Sequence, residues 1–165
     1  FREIGITPEF SFVLGNPPDP EADVATTLEF VRTLKSRNPE AEIVLYQYTP
    51  VPVAGGLLDA AAQSGFAFPR TLEEWVSPRW REVSRRNSDK LPWLAPKVRR
   101  RILDFRRVLN AYYPTSTDPR LQGWRRSLLS GAASWRYRSR TYSYPIELQV
   151  LQRLLRYQRP ETAGF

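Results

Sequence analysis

The chain has 165 residues, of which 41% are hydrophobic and 25% are charged. That length suits one domain with a real core, and that composition is typical of a globular protein rather than a disordered or membrane one. Cys, His and Met are all missing, which excludes disulfides, thiolate cluster ligands and an imidazole base. Because no run of about 18 apolar residues and no leader pattern is found, we expect a cytoplasmic protein. The start at Phe1 without Met predicts a piece of a larger protein.

Charge is unevenly distributed along the chain. Residues 1–70 carry 5 basic and 9 acidic side chains, a net charge of −4, whereas residues 71–165 carry 20 basic and 8 acidic side chains, a net charge of +12. A basic half can bind a polyanion. The favoured interpretation is a solvated helical surface, or a face docked on an acidic neighbour.

The first part of the chain predicts a β–α–β unit. Phe10–Leu14 is typical of a buried strand, ended by the turn Gly15–Pro18. A helix then runs to about Arg37, and Glu42–Tyr48 is the second strand. The continuously apolar centre of that strand predicts a parallel pair with a right-handed crossover. The apolar stripe of the helix consists of Val24, Leu28, Val31 and Leu34.

The middle of the chain predicts short elements. A helix over Gly55–Ser64 stops at Gly65, and residues 65–69 are interpreted as an extended link rather than a third strand. Thr71, followed three residues later by Glu74, predicts a capping box, after which proline and polar residues break the chain through residue 90. The inward positions of the Gly55–Ser64 helix are Leu57, Leu58 and Ala61.

Three further helices are predicted in the basic part. The first spans Pro96–Tyr112, the second follows Asp118-Pro119, and the third runs from Pro145 to about Tyr157. Two or three parallel strands leave exposed edges that another element must cover. The apolar positions of these helices are Val98, Ile102, Phe105, Leu109 and Tyr112 in the first; Leu121, Trp124, Leu128 and Trp135, on one side, in the second; and Leu148, Leu151 and Leu155 in the third.

Two proline motifs follow the predicted strands. Gly15-Asn16-Pro17 ends the first strand and Tyr48-Thr49-Pro50-Val51-Pro52 ends the second. In this order and spacing the chain resembles the C-terminal half of cobalamin-binding radical S-adenosylmethionine (SAM) proteins, related to the anaerobic Mg-protoporphyrin cyclase. The resemblance is strongest from Ile4 to Trp75, and it extends through Trp80 and Trp135-Arg136-Tyr137 to Arg159-Pro160-Glu161.

The resemblance implies an α/β fold, with residues 1–70 as late β–α–β units of a partial TIM-type radical SAM barrel and residues 71–165 as a helical, basic accessory region. It implies a parent enzyme of methyl transfer or radical cyclisation or rearrangement on a small-molecule substrate, using SAM, a [4Fe-4S] cluster and cobalamin. The chain has no cysteine for the cluster, and Val53-Ala54 replace the family's common Gly-Thr. We therefore expect the cluster and cobalamin ligands in a missing N-terminal half, and no activity from this chain alone.

The resemblance also implies which residues meet the cofactor. A turn at Gly15 lacks a Cβ and so permits close approach to the adenosyl group; an ordinary strand-to-helix turn is the alternative. Tyr48 is placed to offer backbone groups to adenine and a phenol to substrate, or else to pack at the edge of a core. The implied cofactor-binding residues are Gly15, Asn16, Pro17, Tyr48, Thr49 and Pro50. The acidic residues Asp19, Glu21 and Asp23 are interpreted as helix caps rather than metal ligands.

A second hypothesis rests on the basic C-terminal part. Trp135–Arg138, with Arg140, Tyr142 and Tyr144, interleaves cations and aromatic rings as single-strand nucleic-acid binders do. The same pairs also arise as structural cation–π contacts. The alternative function is therefore a basic helical module that binds RNA or an acidic protein, with nucleic acid the less favoured partner. Steep salt dependence of polyanion binding would favour this hypothesis.

Overall fold

The computed structural model describes residues 5–83, 91–115, 121 and 123–157. Within these residues the chain is an α/β protein with a two-stranded sheet, and none of the described helices is long and apolar enough to cross a membrane. The elements are β1 (Glu9–Leu14), α1 (Pro20–Arg37), β2 (Glu42–Gln47), α2 (Gly56–Gln63), α3 (Leu72–Trp75), α4 (Pro78–Val83), α5 (Pro96–Tyr112), α6 (Trp124–Ser139) and α7 (Ile146–Leu154).

β1 and β2 pair in parallel, as the sequence predicts. The Glu42 N–H donates to the Pro8 carbonyl at 2.8 Å, and the Tyr48 N–H donates to the Leu14 carbonyl at 2.9 Å. This bonding pattern sets residue 42 beside residue 9 and residue 48 beside residue 15. The two strands and α1 thus form the predicted β–α–β unit. With two strands in the described part of the chain, the sheet is a parallel pair and the barrel stays an expectation.

α1 begins and ends where its charges favour a helix. Glu21 and Asp23 lie in its first turn, and Lys35 and Arg37 in its last, which complements the helix dipole. The Lys35 ammonium is buried and donates to the Ala41 carbonyl at 2.8 Å, so the cation also closes the turn into β2. Of the predicted apolar stripe, Val24, Leu28 and Val31 are buried and Leu34 is half-buried.

α2 ends at Gln63, the turn after it contains Gly65, whose φ of 91° suits glycine, and residues 66–69 form no strand, as predicted. Ala61 is fully buried, but Leu57 is 46% exposed. The inward placement of Leu57 was wrong, because this eight-residue helix has one buried position, Ala61.

α3 is capped by Thr71, whose hydroxyl accepts from the Glu74 N–H at 3.3 Å. The Glu74 carboxylate reaches the Arg70 N–H rather than that of Thr71, so the predicted capping box closes one residue earlier. α4, which the sequence did not predict, follows at once. Its Pro78 stands in the first turn, where a missing N–H costs nothing, and the Ser77 hydroxyl accepts from the Trp80 N–H at 3.2 Å.

The last three helices differ in which faces they bury. α5 matches its predicted bounds, and its apolar face is buried at Val98, Ile102, Phe105 and Leu109, with Tyr112 half-buried. In α6, Trp124, Leu128 and Trp135 share a side as predicted, but that side is exposed, whereas the buried positions are Leu129, Ala133, Arg136 and Tyr137. In α7 and just beyond it, Leu148 and Leu155 are buried and Leu151 is half-buried. The segments Asp118-Pro119 and Arg159–Glu161, like Ile4, lie outside the described residues.

The chain divides into two compact units. One comprises residues 1–10, 30–44 and 100–165, and the other comprises residues 11–29 and 45–99. The first unit has a core built on Phe105, Ile102 and Leu129, and the second has a core built on Leu14 and Val24. Both units draw on residues before and after 70, and the domain boundary expected there for the parent enzyme stays a prediction.

Candidate functional site

The two proline motifs lie side by side at one edge of the sheet. Gly15 follows β1 and Tyr48 follows β2, and the Tyr48 N–H bonds to the carbonyl of Leu14 at 2.9 Å. Because the strands are parallel, their carboxyl ends meet at the same edge, which is where α/β folds bind ligands. The structure brings together all the sequence-predicted residues within the unit 11–29 and 45–99: Gly15, Asn16, Pro17, Tyr48, Thr49 and Pro50.

The turn after β1 is held by Asp23. Its carboxylate accepts from the Gly15 N–H at 2.8 Å, from the Asn16 N–H at 3.2 Å and from the Asn16 side-chain amide at 3.0 Å. Gly15 has a φ of 78°, a left-handed conformation that favours glycine. These N–H groups therefore already donate to Asp23. They hold the turn in place and are not free to bind a ligand.

The acidic residues near the start of α1 divide their roles. The Asp19 carboxylate accepts from the Ala22 N–H at 3.0 Å, which is the predicted helix cap. Asp23 instead ties back the Gly15–Asn16 turn, a role that depends on the folded turn and carries no local sequence signal. Among the described residues, no group of three or more acidic side chains could hold a metal ion.

The predicted site residues differ in accessibility. Gly15, Pro17 and Pro50 are buried, whereas Asn16, Tyr48 and Thr49 are half-buried. The three half-buried residues are the ones that can touch a ligand directly. The buried glycine and prolines shape the backbone behind them.

One face of the sheet is open beside this edge. The strand register puts Ser11 and Val13 on the same face as Tyr46 and Tyr48. Ser11 is exposed and Val13 is 52% exposed, whereas on β2 Val44 is buried and both tyrosines are half-buried. Parallel sheets are normally covered on both faces, so the β1 side of this face is the part that the described residues leave uncovered. Ser11 and Tyr46 were not singled out from the sequence, although strand alternation assigns them to this face.

Gln47 occupies the opposite face, as strand alternation predicts. It is 5% exposed, and neither atom of its carboxamide has a hydrogen-bond partner among the described residues. An unpaired buried carboxamide costs about 1–3 kcal/mol. The described part of the chain therefore leaves a buried polar group without a hydrogen-bond partner at the end of β2.

A chain of aromatic rings leads away from Tyr48. The Tyr48 and Trp93 ring centroids are 5.8 Å apart, and Trp93 is 5.7 Å from Phe66. Trp93 also donates its indole N–H to the Gly15 carbonyl at 3.0 Å, so it locks the turn to the rings. Burial raises the pKa of Tyr48, which keeps its phenol protonated. Beyond Phe66 the chain of rings continues through Phe68, Trp80 and Trp75.

The sequence indicates part of this aromatic chain. The resemblance includes Trp75 and Trp80, but it does not join them into a cluster. Trp93 was missed, because nothing in its local pattern reports that its indole reaches a turn 78 residues earlier.

Arginines and aromatic residues alternate in the basic part, and those that are buried make structural contacts. Arg136 is buried, and its guanidinium binds the Glu147 carboxylate and the carbonyls of Thr141, Ser143 and Tyr144. The hydrogen bond from Arg136 to the Glu147 carboxylate lowers the pKa of Glu147. The structural interpretation of the Trp135–Arg138 segment is thus supported at Arg136, while Trp135 and Arg138 are exposed.

Arg32 adds a second structural cation to the same unit. Its guanidinium lies 4.6 Å from the centre of the Tyr137 ring and donates to the Tyr137 carbonyl at 2.8 Å. Burial is the main cause of a raised pKa at the Tyr137 hydroxyl. A shallow cavity of about 390 Å³ in this unit is lined by residues that include Tyr112, Tyr113, Arg126 and Ser130.

Comparison with known proteins adds no relative. No family model matches the chain, and no curated protein or solved structure is significantly similar to it.

Proposed function

We propose that the chain is the C-terminal part of a cobalamin-dependent radical SAM enzyme, in which it adds late barrel strands and a helical tail. One observation carries the proposal. The parallel pairing of β1 and β2, with the Tyr48 N–H 2.9 Å from the Leu14 carbonyl, sets the two family-like proline motifs next to each other. A SAM pocket of the kind that the resemblance implies needs both motifs at one edge.

The exposed β1 side of the sheet supports the same proposal. Ser11 and Val13 are exposed on a face that parallel sheets normally cover. In a barrel this face would be the interior, closed by strands from the rest of the protein. Tyr46 and Tyr48, on the same face, would then line the pocket.

The residues present fit SAM but not the other two groups. Asn16, Tyr48 and Thr49 are half-buried beside a turn without a Cβ at Gly15, an arrangement that suits a flat adenosyl group. The chain has no cysteine and no histidine, so it offers a [4Fe-4S] cluster and cobalamin none of the usual ligands. We assign those sites to an N-terminal part of the proposed enzyme.

Within this proposal the chain's residues bind and orient rather than react. SAM, when bound, supplies the methyl group or the radical for the reaction. Asp23 and Trp93 hold the Gly15 turn rigid from two sides. The Tyr48 phenol donates a hydrogen bond to cofactor or substrate. The buried rings of Trp93 and Phe66 keep water away from that side of the pocket.

The first test is the coding sequence upstream of Phe1 together with SAM binding by the full-length protein. We expect a closely spaced trio of cysteines within a couple of hundred residues. We also expect Gly15→Ala to raise the Kd for SAM about tenfold, because a Cβ at a φ of 78° strains the turn that carries Asn16.

The matched control is Gly65→Ala. Gly65 also has a positive φ, 91° against 78° for Gly15, so both substitutions strain the backbone but only one lies at the strand edge. An upstream frame without the cysteine trio, or equal SAM affinity for the two variants, contradicts the proposal.

A further inference from the structure

The side of α6 that faces away from its buried residues is apolar and exposed. Trp124 is 68% exposed, Leu128 is 47% exposed and Trp135 is 54% exposed. Their spacings of four and seven residues place them in one line along the helix. At 1.5 Å per residue the two tryptophans are about 16 Å apart along the axis. An exposed apolar stripe of this size marks an interaction surface.

Arginines border this stripe and no acid interrupts it. Arg125 and Arg138 are exposed on its two sides, and α6 contains four arginines and no acidic residue. Over residues 124–157 there are seven arginines and a single acid, a net charge of +6. That acid, Glu147, is already paired with Arg136. The charge surrounding the stripe therefore complements an anionic partner.

α7 carries a second stripe of the same kind. Ile146 is 62% exposed, Val150 is 51% exposed and Leu154 is 75% exposed, each four residues from the next. α6 and α7 contact each other and belong to the same compact unit. The two helices thus expose aliphatic and aromatic side chains, and arginine is the main charged residue beside them.

This chemistry fits a lipid surface better than RNA. Stacking of successive bases needs rings at close intervals along the strand, whereas Leu128 and Gly131 occupy the space between the two tryptophans. Trp suits the membrane interface, because its ring is apolar and its indole N–H is polar. A helix with Trp and Leu on one side and arginines beside them is typical of interfacial binding.

We propose that α6 docks the chain on the anionic surface of a lipid bilayer. Trp124, Leu128 and Trp135 enter the interface, and Arg125 and Arg138 contact the anionic headgroups. Each arginine near such a surface adds to the attraction, and salt screens it. This proposal does not depend on the proposed function, since the stripe lies in α6 and the SAM-binding edge lies in the other compact unit.

The test is co-sedimentation of the 165-residue chain with phosphatidylcholine vesicles, with and without phosphatidylglycerol. We expect binding to the vesicles that contain phosphatidylglycerol, and loss of binding at high salt. The double variant W124A/W135A should lower vesicle affinity at least about tenfold, because the apolar contacts are removed. R125Q/R138Q should weaken binding at low salt and make it less dependent on salt.

The control is L72A/V76A, which removes two side chains that are 80% and 67% exposed in and after α3. It should bind vesicles like the unaltered chain, and all variants should retain the same helical circular dichroism. Quenching of tryptophan fluorescence by brominated lipid should fall in W124A/W135A. Absence of binding to anionic vesicles overturns the proposal. So does equal binding by W124A/W135A, or salt-sensitive binding to single-stranded RNA alone.

Discussion

Arg136 shows how a single side chain organises the C-terminal helices. It is 8% exposed, and its guanidinium bonds to three backbone carbonyls in the turn that follows α6 and to the carboxylate of Glu147 on α7. The Tyr144 carbonyl also accepts from the Ile146 N–H at 2.8 Å, so the contacts to the Thr141 and Ser143 carbonyls and to Glu147 are the ones by which the cation joins α6, the turn and α7. Arg136 is therefore a structural residue, unlike the exposed Arg138 two positions later.

Replacing Arg136 tests this role. Arg136→Met keeps an unbranched apolar stem but removes the guanidinium that donates to the turn carbonyls and to Glu147. We expect the free energy of unfolding to fall by about 2–3 kcal/mol, measured by urea denaturation. Arg138→Met, on the exposed side of the same helix, should change it by less than about 0.5 kcal/mol. Equal effects from the two substitutions would show that Arg136 does not hold the turn.

The Arg136–Glu147 pair also predicts a pH dependence. The hydrogen bond from Arg136 lowers the pKa of Glu147 below its ordinary value of 4.5. The pair therefore stabilises the fold above that value, and this contribution is lost as the pH falls through the lowered folded-state pKa.

Thermal denaturation of the chain and of Glu147→Gln between about pH 3 and pH 7 checks this dependence. The variant should melt at a lower temperature at neutral pH, and the gap between the two melting temperatures should close toward acid pH. A gap that stays constant over the whole range would contradict it.

At the scale of elements, the backbone conformation of a glycine decides whether adding a side chain there stabilises the fold or strains the backbone. Gly131 lies inside α6 in open space, whereas Gly65 ends the turn after α2 with a φ of 91°. Gly131→Ala should raise the free energy of unfolding by about 1 kcal/mol through helix propensity. Gly65→Ala should lower it by about 1–2 kcal/mol through left-handed strain. Chemical denaturation of both variants gives the two signs, and shifts of the same sign would contradict the assignment.

The elements that could be predicted are those whose signals are local. β1, α1, β2 and α5 have clear periodicity, opposite charges at their ends or prolines at their boundaries, and they occur where predicted. α4 was missed because the pair Ser77-Pro78 can stop a chain or start a helix, and tertiary context decides between them. The outer stripe of α6 could be drawn from sequence, but its exposure could not, because Leu129 and Tyr137 offer a competing apolar face.

The position of the candidate site could be predicted from the sequence, but the side chains that hold its turn in place could not. Parallel pairing follows from the β–α–β pattern, so the meeting of Gly15 and Tyr48 was expected. The Asp23 carboxylate and the Trp93 indole reach the turn through folded geometry, which no spacing in the sequence reports.

At the scale of the whole molecule, the exposed sheet edges predict self-association of the isolated chain. The sheet of the described residues has two strands, so each strand has an edge without a neighbour, and such edges pair with strands of other chains. Sedimentation velocity should show oligomers that increase with concentration. Val13→Lys should reduce them, because a charge on the strand opposes pairing.

The control for self-association is Val53→Lys. Val53 is 66% exposed and lies in a loop after β2, so this variant should associate like the unaltered chain. A chain that is monomeric at all concentrations would mean that the sheet needs no further cover.

The proposal that the two strand-end motifs bind SAM is tested most directly by photo-crosslinking. The full-length protein would be irradiated with an azidoadenosyl analogue of SAM, digested with trypsin and mapped by mass spectrometry. We expect label in the peptide 38–70, which carries Tyr48, and in the peptide 3–32, which carries Gly15, with loss of both when unlabelled SAM competes. Label confined to other peptides, or label that SAM does not displace, would contradict the account.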